Sequence, residues 1–98
     1  MLVLSLLDDE ESYGYELVVR LQAAGLPGIA TGTVYPVLTR LEREGRLASR
    51  LVASDAGPAR KYYRPTDSGL QLLSETRRAF DSLADVVARI RPTSKELL

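Results

Sequence analysis

Two segments in the first half of the chain carry apolar residues at helical spacing. In the first, which runs from 13 to about 24, Leu17, Val18 and Leu21 form one apolar stripe. Ser12 precedes this stripe and is expected to be the N-cap, because a serine hydroxyl accepts a hydrogen bond from the free N–H groups of a first helical turn. The GLPG sequence that follows favours a helix end, since glycine adopts the left-handed terminal conformation and proline blocks continuation.

The second segment, TGTVYPVLTRLEREG, spans Thr31–Gly45 and has a proline inside an amphipathic pattern. A proline in a helix interior costs about 3 kcal/mol, whereas the first turn tolerates it because the N–H groups there lack partners. We therefore expect Gly32 or Thr33 to be the N-cap, with Pro36 at the end of the first turn or just past it. A cap at Thr31 would place the proline one residue deeper. The predicted buried face consists of Val34, Val37, Leu38 and Leu41.

The next part of the chain has β-strand character. LASRLVAS (Leu47–Ser54) and KYYR (Lys61–Arg64) are β-compatible, and the turn-rich DAGPA between them predicts a hairpin. With this turn, Arg60 and Lys61 lie at the hairpin tip. Because side chains alternate along a strand, the two adjacent tyrosines are expected to face opposite sides, with one ring on the core.

A long amphipathic helix is predicted from Asp67 to about Ile90, with Thr66 as its N-cap and Pro92 as its stop. Positions with spacings of 3, 4, 3, 4 and 3 form an a/d stripe along it, with Thr76 as the polar member. The stripe packs either on the chain's own core or on a second copy, and the length of the helix favours the second copy. The final TSKELL is expected to fray. The predicted dimer surface consists of Leu2, Leu6, Leu73, Phe80, Leu83, Val87 and Ile90.

The predicted order of elements is helix, helix, helix, hairpin and long helix, the first helix being the apolar segment MLVLSLL. Two helices joined by a tight glycine-containing connector and followed by a hairpin describe a winged helix-turn-helix. The predicted fold class is therefore mainly α with a small β-hairpin. We divide the chain into a winged helix-turn-helix over residues 1–65 and a C-terminal helix over residues 66–98.

Composition narrows the chemistry. The 98 residues suit one domain with a modest core, and they include neither histidine nor cysteine. Those absences remove the commonest general base, the commonest nucleophile pairs and the usual zinc ligands, so we expect no enzyme activity, no metal and no cofactor. No apolar run approaches the roughly 20 residues of a membrane span, and MLVLSLL lacks the basic start of a signal peptide. A cytoplasmic protein without membrane contact is expected.

Charge is unevenly distributed, although the formal net charge is +0. Residues 1–39 include five acidic residues and one basic residue, whereas residues 40–64 include seven basic and three acidic residues. Residues 65–98 are balanced. A basic middle creates a local positive field, and this local field governs the attraction of polyanions more than the sum over the chain.

Three motifs together resemble the PadR family of winged-helix transcriptional regulators. They are SYGYEL at Ser12–Leu17, GTVYPVLTRLEREG in the predicted third helix, and GPARKYYRPTDSG across the hairpin. The resemblance covers about residues 1–75. It implies a DNA-binding domain over residues 1–65 and a dimerisation helix over residues 66–98, because members are mostly bacterial repressors that dimerise through the first and the long C-terminal helix. The short C-terminal region is similar to the subgroup with a single dimerising helix.

The sequence departs from the family pattern in several places. The chain starts directly at the first predicted helix, without leading residues. Arg46 stands where the family commonly has an apolar residue, and Pro65 replaces a usual leucine. Tryptophan is absent, which argues against the aromatic-stacking drug pocket of some relatives.

The predicted contact with double-stranded DNA begins at the helix carrying TGTVYP. Its N-terminal N–H groups suit a phosphate, and threonine and tyrosine hydroxyls stand beside them. Two arginines further along the helix reach phosphates or guanine edges. The alternative for each arginine is a solvated surface charge, partly neutralised by a neighbouring glutamate. The predicted contact residues of this helix are Thr31, Thr33, Tyr35, Arg40 and Arg43.

Arg60 and Lys61 at the predicted hairpin tip form the second part of the expected contact, since a basic tip lies along a groove or backbone. The resemblance supports this assignment, because the same basic pair follows Gly-Pro in the family. The sequence thus predicts a homodimeric repressor of an inverted-repeat operator, and leaves open whether a small-molecule effector binds near Phe80, Leu83 and the first helix. The alternative is a winged helix that binds other proteins and no DNA, which the net charge of +0 and the acidic first third of the chain leave open.

Overall fold

The structure, a computed structural model, describes residues 1–91, within which the chain forms four helices and three strands. The predicted order of elements and the mainly α fold with a small hairpin are confirmed. The expected stop at Pro92 and the expected fraying of TSKELL lie outside the described residues. In chain order the elements are α1 (Leu2–Asp9), β1 (Ser12–Tyr13), α2 (Gly14–Ala23), α3 (Thr31–Arg43), β2 (Leu47–Ser54), β3 (Gly57–Pro65) and α4 (Asp67–Ile90).

The short strand β1 was not predicted, and it changes the start of α2. Ser12 pairs with Tyr63 and Tyr13 with Tyr62, in an antiparallel sheet of order β1-β3-β2. The prediction of Ser12 as N-cap is wrong, because Tyr13 occupies the cap position and makes no side-chain cap bond. The Ser12 hydroxyl is buried by the strand pairing and instead accepts a hydrogen bond of 2.6 Å from Arg20.

Arg20 joins the end of α1 to α2. Its guanidinium donates to the carbonyl oxygens of Leu6 at 2.7 Å and Glu10 at 2.8 Å, in addition to the Ser12 hydroxyl. Carbonyl groups at a helix C-terminus are short of donors, and a cation there also interacts favourably with the helix dipole. One half-buried side chain therefore completes the end of α1 and fixes it against α2.

The helix α3 begins earlier than predicted. Its first residue is Thr31, and Ala30 occupies the cap position, where it offers no side-chain acceptor. The Thr33 N–H donates to the Ala30 carbonyl at 3.0 Å. Pro36 is consequently the sixth residue of the helix, and the prediction that it lies at the end of the first turn or just past it is wrong. The bond that Pro36 cannot donate would go to the carbonyl of Gly32, an exposed residue, where water can replace it.

The core lies between the first three helices, the root of the hairpin and the start of α4. The predicted apolar stripes of α2 and α3 are confirmed, with Val37 half-buried. The Tyr63 ring is buried, as expected for one of the two adjacent tyrosines. Leu73 is only 2% exposed because its own chain covers it, so it is not accessible to a second copy as the predicted dimer surface required. The buried apolar residues are Leu4, Leu7, Leu17, Val18, Leu21, Val34, Leu38, Leu41, Leu47, Tyr63 and Leu73.

The hairpin turn is tighter than predicted. Ser54 lies opposite Gly57, so the two residues between them form the tip. Gly57 has a φ of 137°, a conformation that residues with a Cβ rarely adopt. The strand β3 therefore starts at Gly57, and the prediction that Arg60 and Lys61 lie at the tip is wrong: both lie within the strand.

The start of α4 is fixed to the turn that ends α3. Thr66 is the N-cap, as predicted, because its hydroxyl accepts from the Gly69 N–H at 3.1 Å and donates to the Gly45 carbonyl at 2.6 Å. A Cβ at Gly69 would collide with the Arg46 carbonyl oxygen, so this close approach requires glycine. The helix then leaves the core, and from Arg77 to the end of the described chain every residue is exposed. No helix in residues 1–91 combines the length and apolarity needed to cross a membrane.

Candidate nucleic-acid interface

The exposed side of α3 carries the polar residues that the sequence assigned to it. Thr31 and Thr33 lie in the first turn, where no side chain caps the free N–H groups. Arg40 and Arg43 lie towards the other end and are exposed. The helix therefore presents hydrogen-bond donors at both ends of its solvent side.

The two arginines of α3 keep their charges unpaired. Residues 1–91 form three ion pairs, and neither Arg40 nor Arg43 takes part in them. The predicted alternative, in which neighbouring glutamates neutralise them, is not found in this part of the chain, since Glu42 binds Lys61 instead. Both arginines are thus available for an anionic partner.

The Tyr35 ring packs over Gly14 at the start of α2. A Cβ at Gly14 would lie 2.5 Å from two ring carbons and 2.7 Å from the hydroxyl oxygen of Tyr35, closer than side chains approach each other. Tyr35 as a whole nevertheless remains 43% exposed. The glycine of SYGYEL therefore provides the surface on which the tyrosine of TVYP rests, a contact between two motifs that sequence reasoning treated separately.

Arg60 and Tyr35 line the same small cavity although the two are far apart in sequence. A cavity of about 150 Å³ opens between the start of α2, α3 and the sheet, and both residues line it. The Arg60 guanidinium carbon lies 4.5 Å from the centre of the Tyr13 ring, a cation–π contact that orients the side chain. Arg60 takes part in none of the ion pairs of residues 1–91. The fold thus places an unpaired cation of β3 and the exposed tyrosine of α3 in the lining of one cavity.

The outer face of the sheet extends this arrangement. The rings of Tyr13 and Tyr62 meet edge to face with centres 5.3 Å apart, and Arg50 lies 5.9 Å from the centre of Tyr62. Arg50 also forms an ion pair with Glu11, which lowers the pKa of Glu11 and raises that of Arg50, chiefly through their hydrogen bonds. The charge of Arg50 is therefore neutralised within the chain. The sequence did not predict this ion pair because Glu11 is distant from Arg50 along the chain.

Lys61 faces the opposite side of the strand and is paired with α3. Its ammonium group donates to Glu42 Oε1 at 2.7 Å, and the second oxygen of Glu42 accepts from the Ser49 hydroxyl. The hydrogen bond from Lys61 is the main reason why the pKa of Glu42 lies below its usual value, and the same bond raises the pKa of Lys61. Lys61, which the sequence predicted as a DNA contact, is thus half of an ion pair within the chain.

Most of the remaining residues predicted for the dimer surface are accessible. Four of them lie along α4 beyond the core and are each more than half exposed. Leu2 is also exposed, whereas Leu6 is half-buried against the core. The four residues of α4 are Phe80, Leu83, Val87 and Ile90.

An apolar cavity of about 400 Å³ lies beside α1, between the helices. Met1 and Leu2 line its α1 side, and α4 contributes Leu72 and Thr76. The sequence placed a candidate effector site near Phe80 and Leu83 and the first helix. The cavity agrees with the first helix but lies nearer to the start of α4.

A helix-turn-helix with an exposed second helix, a hairpin wing and a long following helix together define a winged-helix protein. The sequence pattern of the transcriptional regulator PadR-like family matches residues 3–75. The chain belongs to this family of transcriptional regulators, in agreement with the three sequence motifs.

Several relatives share sequence and fold with the chain. A transcriptional regulator of Mycobacterium tuberculosis is 42% identical over 76 residues, which are 78% of this chain and 69% of that protein. A PadR family transcriptional regulator from Eggerthella lenta is 43% identical with a TM-score of 0.84, over 95% of this chain and 80% of the other. Bacillus subtilis PadR in complex with operator DNA is 28% identical with a TM-score of 0.67, over 76% of this chain and 43% of the other.

Proposed function

We propose that the protein is a homodimeric repressor that binds an inverted-repeat operator in double-stranded DNA. The observation that carries this proposal is the position of the exposed Tyr35 and the unpaired Arg60 around one cavity, on the helix and strand that also carry the other candidate contacts. The Bacillus subtilis relative supports it, since the structure of that protein holds operator DNA and shares the fold over 76% of this chain.

In this proposal α3 enters the major groove. Arg40 and Arg43 then face phosphates or guanine edges, because exposed guanidinium groups form bidentate bonds to either. The uncapped first turn, with Thr31 and Thr33, donates to a backbone phosphate. Arg60 binds a further phosphate beside Tyr35, where the cation–π contact with the sheet already orients it.

Two copies pack through the exposed apolar side of α4 and the apolar surface of α1. A soluble chain rarely leaves four large apolar residues exposed in a row, so this surface is expected to be covered by a partner. A two-fold dimer presents two recognition helices and two wings, which fits an inverted repeat with half-sites about one helical turn apart.

A small-molecule effector would bind in the apolar cavity beside α1. Leu2 lines this cavity and also belongs to the proposed dimer surface, so a ligand there can change the packing of the two copies. A change in that packing alters the distance between the two recognition helices. Release from the operator follows from this change, because two half-sites at fixed spacing demand fixed spacing of the helices.

Selection of bound DNA from a random pool tests the proposal. The purified protein should enrich an inverted repeat, and a gel-shift with the DNA upstream of its own coding region should show specific retardation at physiological salt. A single unpaired half-site would contradict the dimer while keeping DNA binding. Absence of enrichment and of retardation at any salt would instead favour a winged helix that binds other proteins.

A further inference from the structure

The carboxylate of Glu42 connects α3 to both strands of the wing. One oxygen accepts from Lys61 of β3 at 2.7 Å, and the other accepts from Ser49 of β2. No other side-chain hydrogen bond between α3 and the hairpin is found in residues 1–91. We propose that Glu42 positions the wing relative to the recognition helix and thereby determines how well the protein discriminates its operator from other DNA. This inference rests on the proposed function.

The rest of the chain holds the wing through the pairing of β1 with Tyr62 and Tyr63 and through the Arg50–Glu11 ion pair, so Glu42 is the side-chain link between the wing and α3. The core reaches only the root of the hairpin, through Leu47 and Tyr63, whereas Leu51 further along is 74% exposed. The chain from Ser49 to the tip covers about 20 Å at roughly 3.3 Å per residue, so a tilt of about 10° at the root displaces the tip by about 3.5 Å. That displacement equals the rise of one nucleotide along a strand, roughly 3.4 Å. A small change at the root therefore shifts the wing by one phosphate.

Glu42 also controls the charge of the wing. The ion pair neutralises Lys61 and holds its ammonium group against the carboxylate of α3. Its removal would release one cation for phosphate binding, which is attractive for DNA of any sequence. Loss of the Glu42 carboxylate is thus expected to act in opposite directions: it weakens operator binding, which needs a fixed wing, and strengthens nonspecific binding, which needs only charge.

The experiment compares Glu42→Ala with Glu44→Ala. Glu44 is the exposed residue that follows α3, and it takes part in none of the ion pairs of residues 1–91, so both variants lose one acidic charge from the same helix end. Fluorescence anisotropy gives the Kd for the selected operator and for a scrambled duplex of equal length over a range of salt concentrations. The discrimination ratio is the Kd for the scrambled duplex divided by the Kd for the operator. In Glu42→Ala this ratio should fall by about tenfold, the cost of about one mismatched base pair.

The salt dependence separates the two effects of Glu42. For nonspecific DNA the slope of log K against log salt should become steeper by about 0.9 in Glu42→Ala, because the freed Lys61 gains one phosphate. Glu42→Gln should recover part of the operator discrimination, since an amide still accepts from Ser49 or Lys61, while it keeps the steeper slope. Glu44→Ala should leave the discrimination ratio unchanged.

Two results would overturn the inference while the wild type still selects an operator. The first is a discrimination ratio in Glu42→Ala equal to that in Glu44→Ala. The second is a proportional fall of both affinities together with a lower melting temperature, which would mean that Glu42 only stabilises the fold. A wild type that binds no DNA would instead defeat the proposed function, and the inference with it.

Discussion

At the scale of single residues, Gly14 and Tyr35 depend on each other. A Cβ at position 14 would lie 2.5 Å from the Tyr35 ring, so Gly14→Ala must displace that ring. We expect Gly14→Ala to destabilise the wild type by about 1–3 kcal/mol, the usual cost of overpacking. In a Tyr35→Ala background the same change should cost nearly nothing, because the clash is gone and alanine favours a helix over glycine. Urea unfolding of the four proteins measures this coupling.

These four proteins form a double-mutant cycle, which also tests whether the Tyr35 ring packs on Gly14 or swings outward. Equal costs of Gly14→Ala in both backgrounds would contradict the packing of the ring on Gly14. The exposed fraction of the ring leaves room for a second response, in which the ring swings outward and stability changes little. In that case operator affinity should fall in Gly14→Ala as it does in Tyr35→Ala, since the hydroxyl would leave the cavity beside Arg60.

Arg60 and Lys61 are adjacent, yet they are expected to differ in DNA binding. Arg60 has no ion pair in the described chain, whereas Lys61 is held by Glu42. We predict that Arg60→Ala reduces the magnitude of the salt slope by about 0.9 on any DNA, the value for one phosphate contact. Lys61→Ala should reduce it by clearly less. Titration of binding against salt measures both slopes, and equal reductions would contradict the distinction.

The site residues show what sequence reasoning reaches at this scale. Helical periodicity identifies which side of α3 faces solvent, and so it yields Arg40 and Arg43. It does not yield the partner of a charge when that partner is distant. Lys61 and Glu42 are 19 residues apart, and the sequence offered only neighbouring arginines as partners for the glutamates of α3. The contact between Tyr35 and Gly14 was not predicted for the same reason, since the two residues are distant in sequence.

At the scale of elements, Arg20 joins α1 to α2 and to β1. We expect Arg20→Met to destabilise the fold by about 2–4 kcal/mol, because it removes charge-assisted hydrogen bonds to two carbonyls and leaves the buried Ser12 hydroxyl without its donor. Arg20→Lys should recover only part of this, since an ammonium group lacks the planar fork that reaches three acceptors. Urea denaturation followed by circular dichroism measures the change. Arg78→Met on the exposed part of α4 is the control, and an equal effect there would contradict the prediction.

The elements differ in how far the sequence predicts them. The bounds of β2 and α4 agree with the prediction, because alternation, periodicity and the Thr66 cap are local signals. The strand β1 exists only through its pairing with β3, so a stretch of two residues carried no local signal. The start of α3 was misplaced because Ala30 takes the cap position without a side-chain bond, whereas the prediction relied on residue types that are preferred at an N-cap, glycine and threonine.

At the scale of the whole molecule, the shape indicates where a second copy would bind. The described chain measures 60 × 28 × 20 Å, because α4 extends beyond the winged helix. The heptad pattern located the apolar side of α4 but did not separate the part that packs in the core from the part that stays exposed. The fold shows that division: Leu73 packs in the core of its own chain, whereas the four residues from Phe80 onwards are left exposed. Periodicity alone could not separate the two parts, since both use the same spacing.

Leu83→Arg tests the proposed dimer, with Asp85→Arg as the control on the other face of the same helix. Leu83 is at the centre of the exposed apolar side of α4, and Asp85 is exposed on the opposite side of the helix, so each substitution adds a guanidinium to one face. We predict that Leu83→Arg yields a monomer in sedimentation, because an unpaired charge in an apolar interface costs several kcal/mol. Asp85→Arg should remain a dimer.

The same pair of variants tests whether the dimer reads DNA as a unit. The Leu83→Arg monomer should lose affinity for the full inverted repeat by a large factor, because the second half-site no longer binds at high effective concentration. Its affinity for an isolated half-site should equal that of the wild-type protein. Leu83 is exposed and lies outside the core and the candidate interface, so its substitution leaves α3 and Arg60 in place. A Leu83→Arg protein that stays dimeric would place the interface elsewhere. A monomer that keeps full operator affinity would instead show that each copy reads its half-site alone, and the symmetry of the operator would then need another cause.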